Sequence, residues 1–193
     1  MAIPLPVVTE QPIQGLFKVG LVKNVLGEDA RGTFQEAWQA EKMQAAGLPE
    51  FQPVQSNVAV SGHGVLRGVH AEPWDKFIHI ADGSVFAAWV DLRPDSLTFK
   101  QQLQLELNSD VAMYVPRGVG NSYLVTSDRV IYTYLVNAHW QPNLTYTAVA
   151  YDDPELAINW PLPAHEMVIS EKDQQNPNLA EAIAVMSNEN KNV

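Results

Sequence analysis

Residues 100–109, KQQLQLELNS, alternate polar and apolar side chains, with Leu103, Leu105 and Leu107 on one side and Gln102, Gln104 and Glu106 on the other. A period of two belongs to a strand with one buried and one wet face, because successive side chains of an extended chain point to opposite faces. SVFAAWVDLR (84–93) and RVIYTYLVN (129–137) are further β-rich runs, and Ala81-Asp82-Gly83 is a turn signal between FIHI and the first of these. Many short strands punctuated by Gly, Pro and Asp predict a mainly β chain folded as an antiparallel sandwich or jelly roll.

Helical signals are confined to the two ends. Thr33 as N-cap, Glu36 three residues on and Gly47 as stop predict one helix in TFQEAWQAEKMQAAG, and NPNLAEAIAVM (176–186) predicts another. No internal repeat or low-complexity linker divides the 193 residues. A single jelly-roll domain over 1–193, with short terminal extensions, is expected.

Charge and composition exclude several functions. At a net −10 the chain has no general attraction for nucleic acid or an anionic membrane. Without cysteine it has no thiolate nucleophile and no sulfur metal ligand. The start, MAIPLPVVTEQ, carries no cationic leader, and no run approaches the roughly 18 apolar residues of a membrane span. A cytoplasmic protein is expected. An anionic ligand must then be held by a local cluster of cations.

LRGVHAEPWDK (66–76) supplies such a cluster in Arg67, His70 and Lys76. Strict alternation would place Arg67 and His70 on opposite faces of a strand, so a shared site requires a bulge, and Gly68 permits one. Histidine can act as a base near neutrality, and a lysine one short loop away can stabilise negative charge. Tyr132 and Tyr134 are two apart on one strand, hence on one face, where a phenol could donate a proton into a jelly-roll interior. Arg31, ahead of the first predicted helix, is either a surface residue or a fork for phosphate. A metal site is not expected. There is no His-x-His pair, His70-Ala71-Glu72 is the nearest approximation to one, and His63 and His79 fall in the wrong alternation. No Gly-x-Ser-x-Gly elbow suggests a serine hydrolase.

Taken in order, LRGVHAEPWDK, DLRPDSLTF, YVPRGVGNSYLV, YTYLVNAHW, DDPELAINWPL and ISEKD resemble the dTDP-4-dehydrorhamnose 3,5-epimerase family. The HAEPWDK loop and the PRGVGNSY segment resemble its streptococcal-type branch. The resemblance runs from about Gly15 to the SEKD segment. It implies a cupin-like jelly roll, usually a homodimer, that uses neither metal nor cofactor. It also implies a reaction, the inversion of C3 and C5 of dTDP-4-dehydro-6-deoxy-D-glucose on the way to dTDP-L-rhamnose.

Both carbons flank the C4 ketone, so each can lose a proton to an enolate and regain one on the other face. Such chemistry needs a base, an opposed acid and a positive group at the oxyanion. The resemblance assigns the base to His70, its orienting carboxylate to Asp173, the oxyanion-stabilising ammonium to Lys76 and the opposed proton donor to Tyr134. It places Arg67 beside the sugar and diphosphate. Arg31, Phe34, Glu36, Gln55 and Asn57 fall at nucleotide contacts. Asn121 stands where the family commonly has histidine and Trp140 where it has tyrosine; an amide can hydrogen-bond the sugar but cannot titrate. Two rivals remain open on the residues alone. One is a mono-epimerase acting at C3 or C5 only, and the other is a non-catalytic sugar-nucleotide binder.

Overall fold

The computed structural model describes residues 4–23, 30–142 and 144–189. The chain runs through β1 (Val7–Glu10), β2 (Phe17–Gly20), α1 (Ala40–Ala45), β3 (Gln55–Gly62), β4 (Val65–Ala71), β5 (Lys76–Asp82), β6 (Val85–Asp91), β7 (Gln102–Leu107) and β8 (Val111–Val115). It continues through β9 (Val119–Val125), β10 (Arg129–Val136), β11 (Thr147–Ala148), β12 (Val168–Ile169), α2 (Glu171–Gln174) and α3 (Leu179–Glu189).

Two sheets face each other as a jelly roll. One has the order β1-β2-β8-β5-β10-β3, the other β11-β4-β9-β6-β7 with β12 added beside β4. All pairings are antiparallel except that of β12 with β4. The three strand runs read from the sequence become β7, β6 and β10. Gly83 turns the chain from β5 to β6 with φ +82°, and a Cβ there would lie 2.1 Å from the Arg129 carbonyl oxygen. This turn also carries the chain from one sheet to the other, so it is not a hairpin.

The period-two pattern fills the space between the sheets. Ile78 and Ile80 of β5, Val85, Ala87 and Trp89 of β6, Leu107 of β7 and Met113 of β8 are 0–1% exposed in one cluster, against which Leu103 and Leu105 pack. At one end of this interlayer the apolar side chains give way to polar ones. There the two sheets hold a cavity.

The predicted helix over 33–47 shrinks to Ala40–Ala45. Gln39 is the N-cap in place of Thr33, its Oε1 accepting from Lys42 N at 2.5 Å, and Glu36 accepts a hydrogen bond from Lys42 Nζ at 2.7 Å instead of closing a capping box. The reason is tertiary. Trp38 lies edge-on to Phe51 and Phe77, at centroid distances of 5.3 and 4.7 Å, which holds the preceding residues extended across the outside of the first sheet. Gly47 does end the helix, at φ +100°. Toward the C-terminus α3 forms as predicted, and Leu179 and Ala182 pack on Val69, Val90 and Leu156. Leu179 N donates to the buried Asp153 Oδ2 at 2.7 Å.

Candidate active site

Gly68 decides the geometry of the site. On β4, Arg67 pairs with Tyr123 of β9 and His70 with Asn121, so three steps on one strand face two on the other. The extra residue is a bulge, and it returns Arg67 and His70 to the same face. Gly68 sits at φ +120°, and a Cβ would come within 2.6 Å of Ser122 Cβ. No other residue type fits there without displacing β9.

The cavity between the sheets is about 320 Å³ and is lined by Arg67, His70, Lys76, Asn121, Tyr134 and Asp173, among others. The second sheet presents His70 from β4, and the first presents Lys76 from β5 and Tyr134 from β10. The imidazole and the phenol therefore come from facing walls. Asp173 arrives on α2, whose N-cap Ser170 accepts from Asp173 N at 3.1 Å.

His70 Nε2 donates to Asp173 Oδ1 at 2.7 Å, and Gly68 N donates to Asp173 Oδ2 at 3.3 Å. Burial pushes the Asp173 carboxyl up. The hydrogen bond and charge of His70, the Gly68 N–H and the Lys172 charge more than reverse this and hold it below the usual carboxylate range. An ionised Asp173 fixes the tautomer with Nε2 protonated, which leaves Nδ1 with the free lone pair. That is the arrangement of an oriented base.

Lys76 is 7% exposed and forms an ion pair with Glu72. Its ammonium lies 5.3 Å from the centre of the Tyr134 ring. Burial, followed by the negative charge of Glu72, raises the Tyr134 hydroxyl above the usual phenol range, so it stays protonated. Tyr132, two residues back on the same face, stacks on Tyr123 at 4.1 Å and is 3% exposed. Gln55 Nε2 donates to Asn57 Oδ1 at 2.8 Å, and Gln55 Oε1 accepts from the Trp140 backbone at 3.0 Å, so these three make one rim of the cavity. Asn121 Oδ1, Tyr123 Oη and Trp74 Nε1 are buried in the lining residues without a hydrogen-bond partner.

The family model for dTDP-4-dehydrorhamnose 3,5-epimerase matches residues 10–181. The chain belongs to this epimerase family. It is similar to a protein of Streptococcus pyogenes serotype M6 named an RmlC homolog, with 47% identity over 161 residues, 79% of this chain and 80% of that protein. It is also similar to a dTDP-4-dehydrorhamnose 3-epimerase of Streptomyces niveus, with 34% identity over 80% of this chain and 76% of the relative. Among solved structures, RmlC of Streptococcus suis in complex with dTDP-D-xylose superposes with a TM-score of 0.85 at 40% identity, covering 93% of this chain and 94% of that one.

Nine of the twelve residues singled out from the sequence line this one cavity: Gln55, Asn57, Arg67, His70, Lys76, Asn121, Tyr134, Trp140 and Asp173. Arg31, Phe34 and Glu36 do not. Phe34 is 54% exposed, and Glu36 is paired with Lys42 on the outer side of the first sheet. His63 and His79 are also elsewhere. His63 contacts the Thr126 carbonyl, while His79 lies between Gln35 and Thr133. No three His, Asp or Glu side chains among the described residues form a group that could hold a metal.

Sequence reasoning overlooked Glu72, Tyr123 and Tyr146 as cavity residues. Glu72 lies two positions beyond His70, and Tyr123 two beyond Asn121, so strand parity could have found both. Tyr146 approaches His70 edge-on at 5.7 Å and accepts from Lys172 Nζ at 3.0 Å, but it lies in a loop with no periodicity to reveal it. A larger, more apolar hollow of about 880 Å³ adjoins the cavity and shares Glu72, Tyr146 and Lys172 with it.

Proposed function

We propose that this protein inverts both C3 and C5 of dTDP-4-dehydro-6-deoxy-D-glucose, as the family description and the residues of the cavity together imply. The observation that carries the reading is the pairing of His70 with Asp173 on one wall, opposed by Tyr134 and Lys76 on the other. His70 Nδ1 removes the proton from the carbon beside the ketone, and Asp173 stabilises the imidazolium that results. Lys76 donates to the C4 oxygen as the enolate forms. Tyr134, held in its protonated form, delivers a proton to the opposite face, and the centre is inverted. The same four groups serve the second carbon, because both flank the same ketone. Every proton transfer is met by side chains, without metal or cofactor.

The nucleotide end uses the Gln55, Asn57 and Trp140 rim, with Arg67 beside the diphosphate. Arg31 and Phe34, which lie away from the cavity of their own chain, serve the cavity of a second copy in a homodimer. A dimer also has an apolar face to use. Val58 and Val60 on the edge strand β3 are 64% and 57% exposed, and Ile131 lies beside Val60 on β10. Among the described residues no helix is long and apolar enough to cross a membrane.

Incubation with dTDP-4-dehydro-6-deoxy-D-glucose, followed by proton NMR, tests the reading. The ring couplings of the product are expected to report both inversions with native protein and neither with His70→Asn. Substrate left unchanged by native protein would remove the epimerase assignment and leave the binder.

A further inference from the structure

Two buried charges stand in the cavity wall outside the His70–Asp173 pair. Glu72 and Lys76 form an ion pair with side chains 12% and 8% exposed, and both line the cavity. Glu72 follows the last residue of β4 and Lys76 opens β5, so the pair clasps the loop by which the chain passes from one sheet to the other. Each charge is largely shielded from water, so each is stabilised by the other.

The pair also bears on the phenol. A cation near a tyrosine favours the phenolate, and an anion favours the phenol. The groups facing Tyr134 are Lys76 from β5, Glu72 and Arg67 from the β4 side, Tyr123 from β9, Tyr132 from its own strand and Tyr146 from the loop before β11, with the His70–Asp173 pair and Lys172 on the opposed wall and the neutral Asn57 beside it on β3. Of the two carboxylates, Asp173 is engaged by His70 and Gly68 N, and Glu72 is the one whose charge acts on the Tyr134 hydroxyl. It opposes the pull of Lys76 and Arg67 on the Tyr134 proton.

We propose that Glu72 is a positioning residue. Its carboxylate fixes the Lys76 ammonium in the cavity and offsets its charge, so that the ammonium stays aimed at the reacting sugar and the Tyr134 phenol enters the reaction carrying its proton. The proposal rests on the roles given above to Lys76 and Tyr134. Glu72 itself acts through them and transfers no proton.

Glu72→Gln keeps the size of the side chain and removes the charge. The Tyr134 phenolate band is read in the near ultraviolet as the difference between Glu72→Gln and Glu72→Gln/Tyr134→Phe. It is expected to titrate about one pH unit below the corresponding difference in the native background, with a tenfold loss of kcat on the alkaline side of the profile. The affinity for dTDP should not change, and Glu72→Asp should return the alkaline limb toward its native place. A phenolate band and an alkaline limb that stay where they are in the native enzyme would overturn the proposal, as would a loss of rate equal at every pH. If Glu72→Gln does not fold, Lys76→Gln gives the opposite sign: Glu72 is then unopposed and the band should move up, and a band that stays or falls overturns the proposal. The titration uses no substrate. A native enzyme inactive on the sugar nucleotide would therefore overturn the proposed function while leaving this result to stand or fall separately.

Discussion

His70 and Asp173 are 103 residues apart in the chain and 2.7 Å apart at Nε2 and Oδ1, and the carboxylate is held on its other oxygen by the Gly68 N–H. One backbone irregularity thus turns the imidazole into the cavity and also anchors its partner. His70→Asn is expected to lower kcat by roughly 100- to 10,000-fold with an unchanged circular dichroism spectrum, since a positioned base contributes about that much. Asp173→Asn should lose less, because the imidazole remains and only its tautomer, its orientation and the stabilisation of the imidazolium are affected. Near-normal turnover in folded His70→Asn would remove the base from His70.

Gly68→Ala tests whether the bulge is needed. The added Cβ meets Ser122 Cβ at 2.6 Å and Asn121 O at 2.7 Å, at a backbone φ of +120°. Overpacking costs about 1–3 kcal/mol, and the backbone conformation about 1–3 kcal/mol more. Thermal unfolding should show a clearly lowered Tm, and any folded fraction should have lost kcat along with the aim of His70. An unchanged Tm and kcat would mean that β4 can reach the same geometry without glycine.

Asp91 is a structural counterpart in the DLRPDSLTF motif. It is 0% exposed and accepts from Arg93 Nε at 2.8 Å, and from Ser96 Oγ and Thr98 Oγ1 at 2.6 Å each. Burial pushes its carboxyl up, but the hydrogen bonds from Arg93, Ser96 and Thr98 outweigh this and leave it below the usual range. A lowered folded-state value makes its stabilisation complete above the unfolded carboxylate value of about 3.9 and lost as pH falls through the folded one. Asp91→Ala should therefore cost about 3–5 kcal/mol near neutral pH. In urea titrations its gap from the native protein should narrow below about pH 3.9.

The sequence was most legible where local pattern and tertiary demand agree. The Leu103, Leu105, Leu107 alternation survives because that strand has a buried face and a wet one. Gly68 could be read as a bulge because two functional side chains three apart cannot otherwise share a strand face. Thr33 and Glu36 misled because a local capping signal competes with the burial of Trp38 between Phe51 and Phe77, and the aromatic packing prevails. Asp173 was found only through family resemblance, since no spacing ties it to a residue 103 positions earlier. Tyr146 had neither periodicity nor a quoted motif to mark it.

Arg31 and His70 should complement each other between chains. If each cavity takes its own His70 and the partner's Arg31, a heterodimer of Arg31→Ala and His70→Asn contains one wholly native site. Arg31→Ala alone should raise KM more than it lowers kcat, since a remote phosphate contact binds ground and transition states alike. At low substrate, an equilibrated mixture of the two variants should be more active than the average of the separate variants. Activity no greater than the average of the separate variants would place Arg31 outside the partner's site.

Solvent exchange tests the two-carbon reaction most directly. Native protein is incubated with dTDP-4-dehydro-6-deoxy-D-glucose in heavy water, and the product is read by NMR for label and configuration at each ring carbon. The account predicts deuterium at both C3 and C5 with inversion at both, because each inversion removes a carbon-bound proton and returns one from a donor that exchanges with solvent. Tyr134→Phe should lose inversion more severely than exchange, since His70 can still return a deuteron to the face it came from. Label and inversion at C3 alone would contradict the account and make the chain a 3-epimerase with the same base and the same nucleotide site.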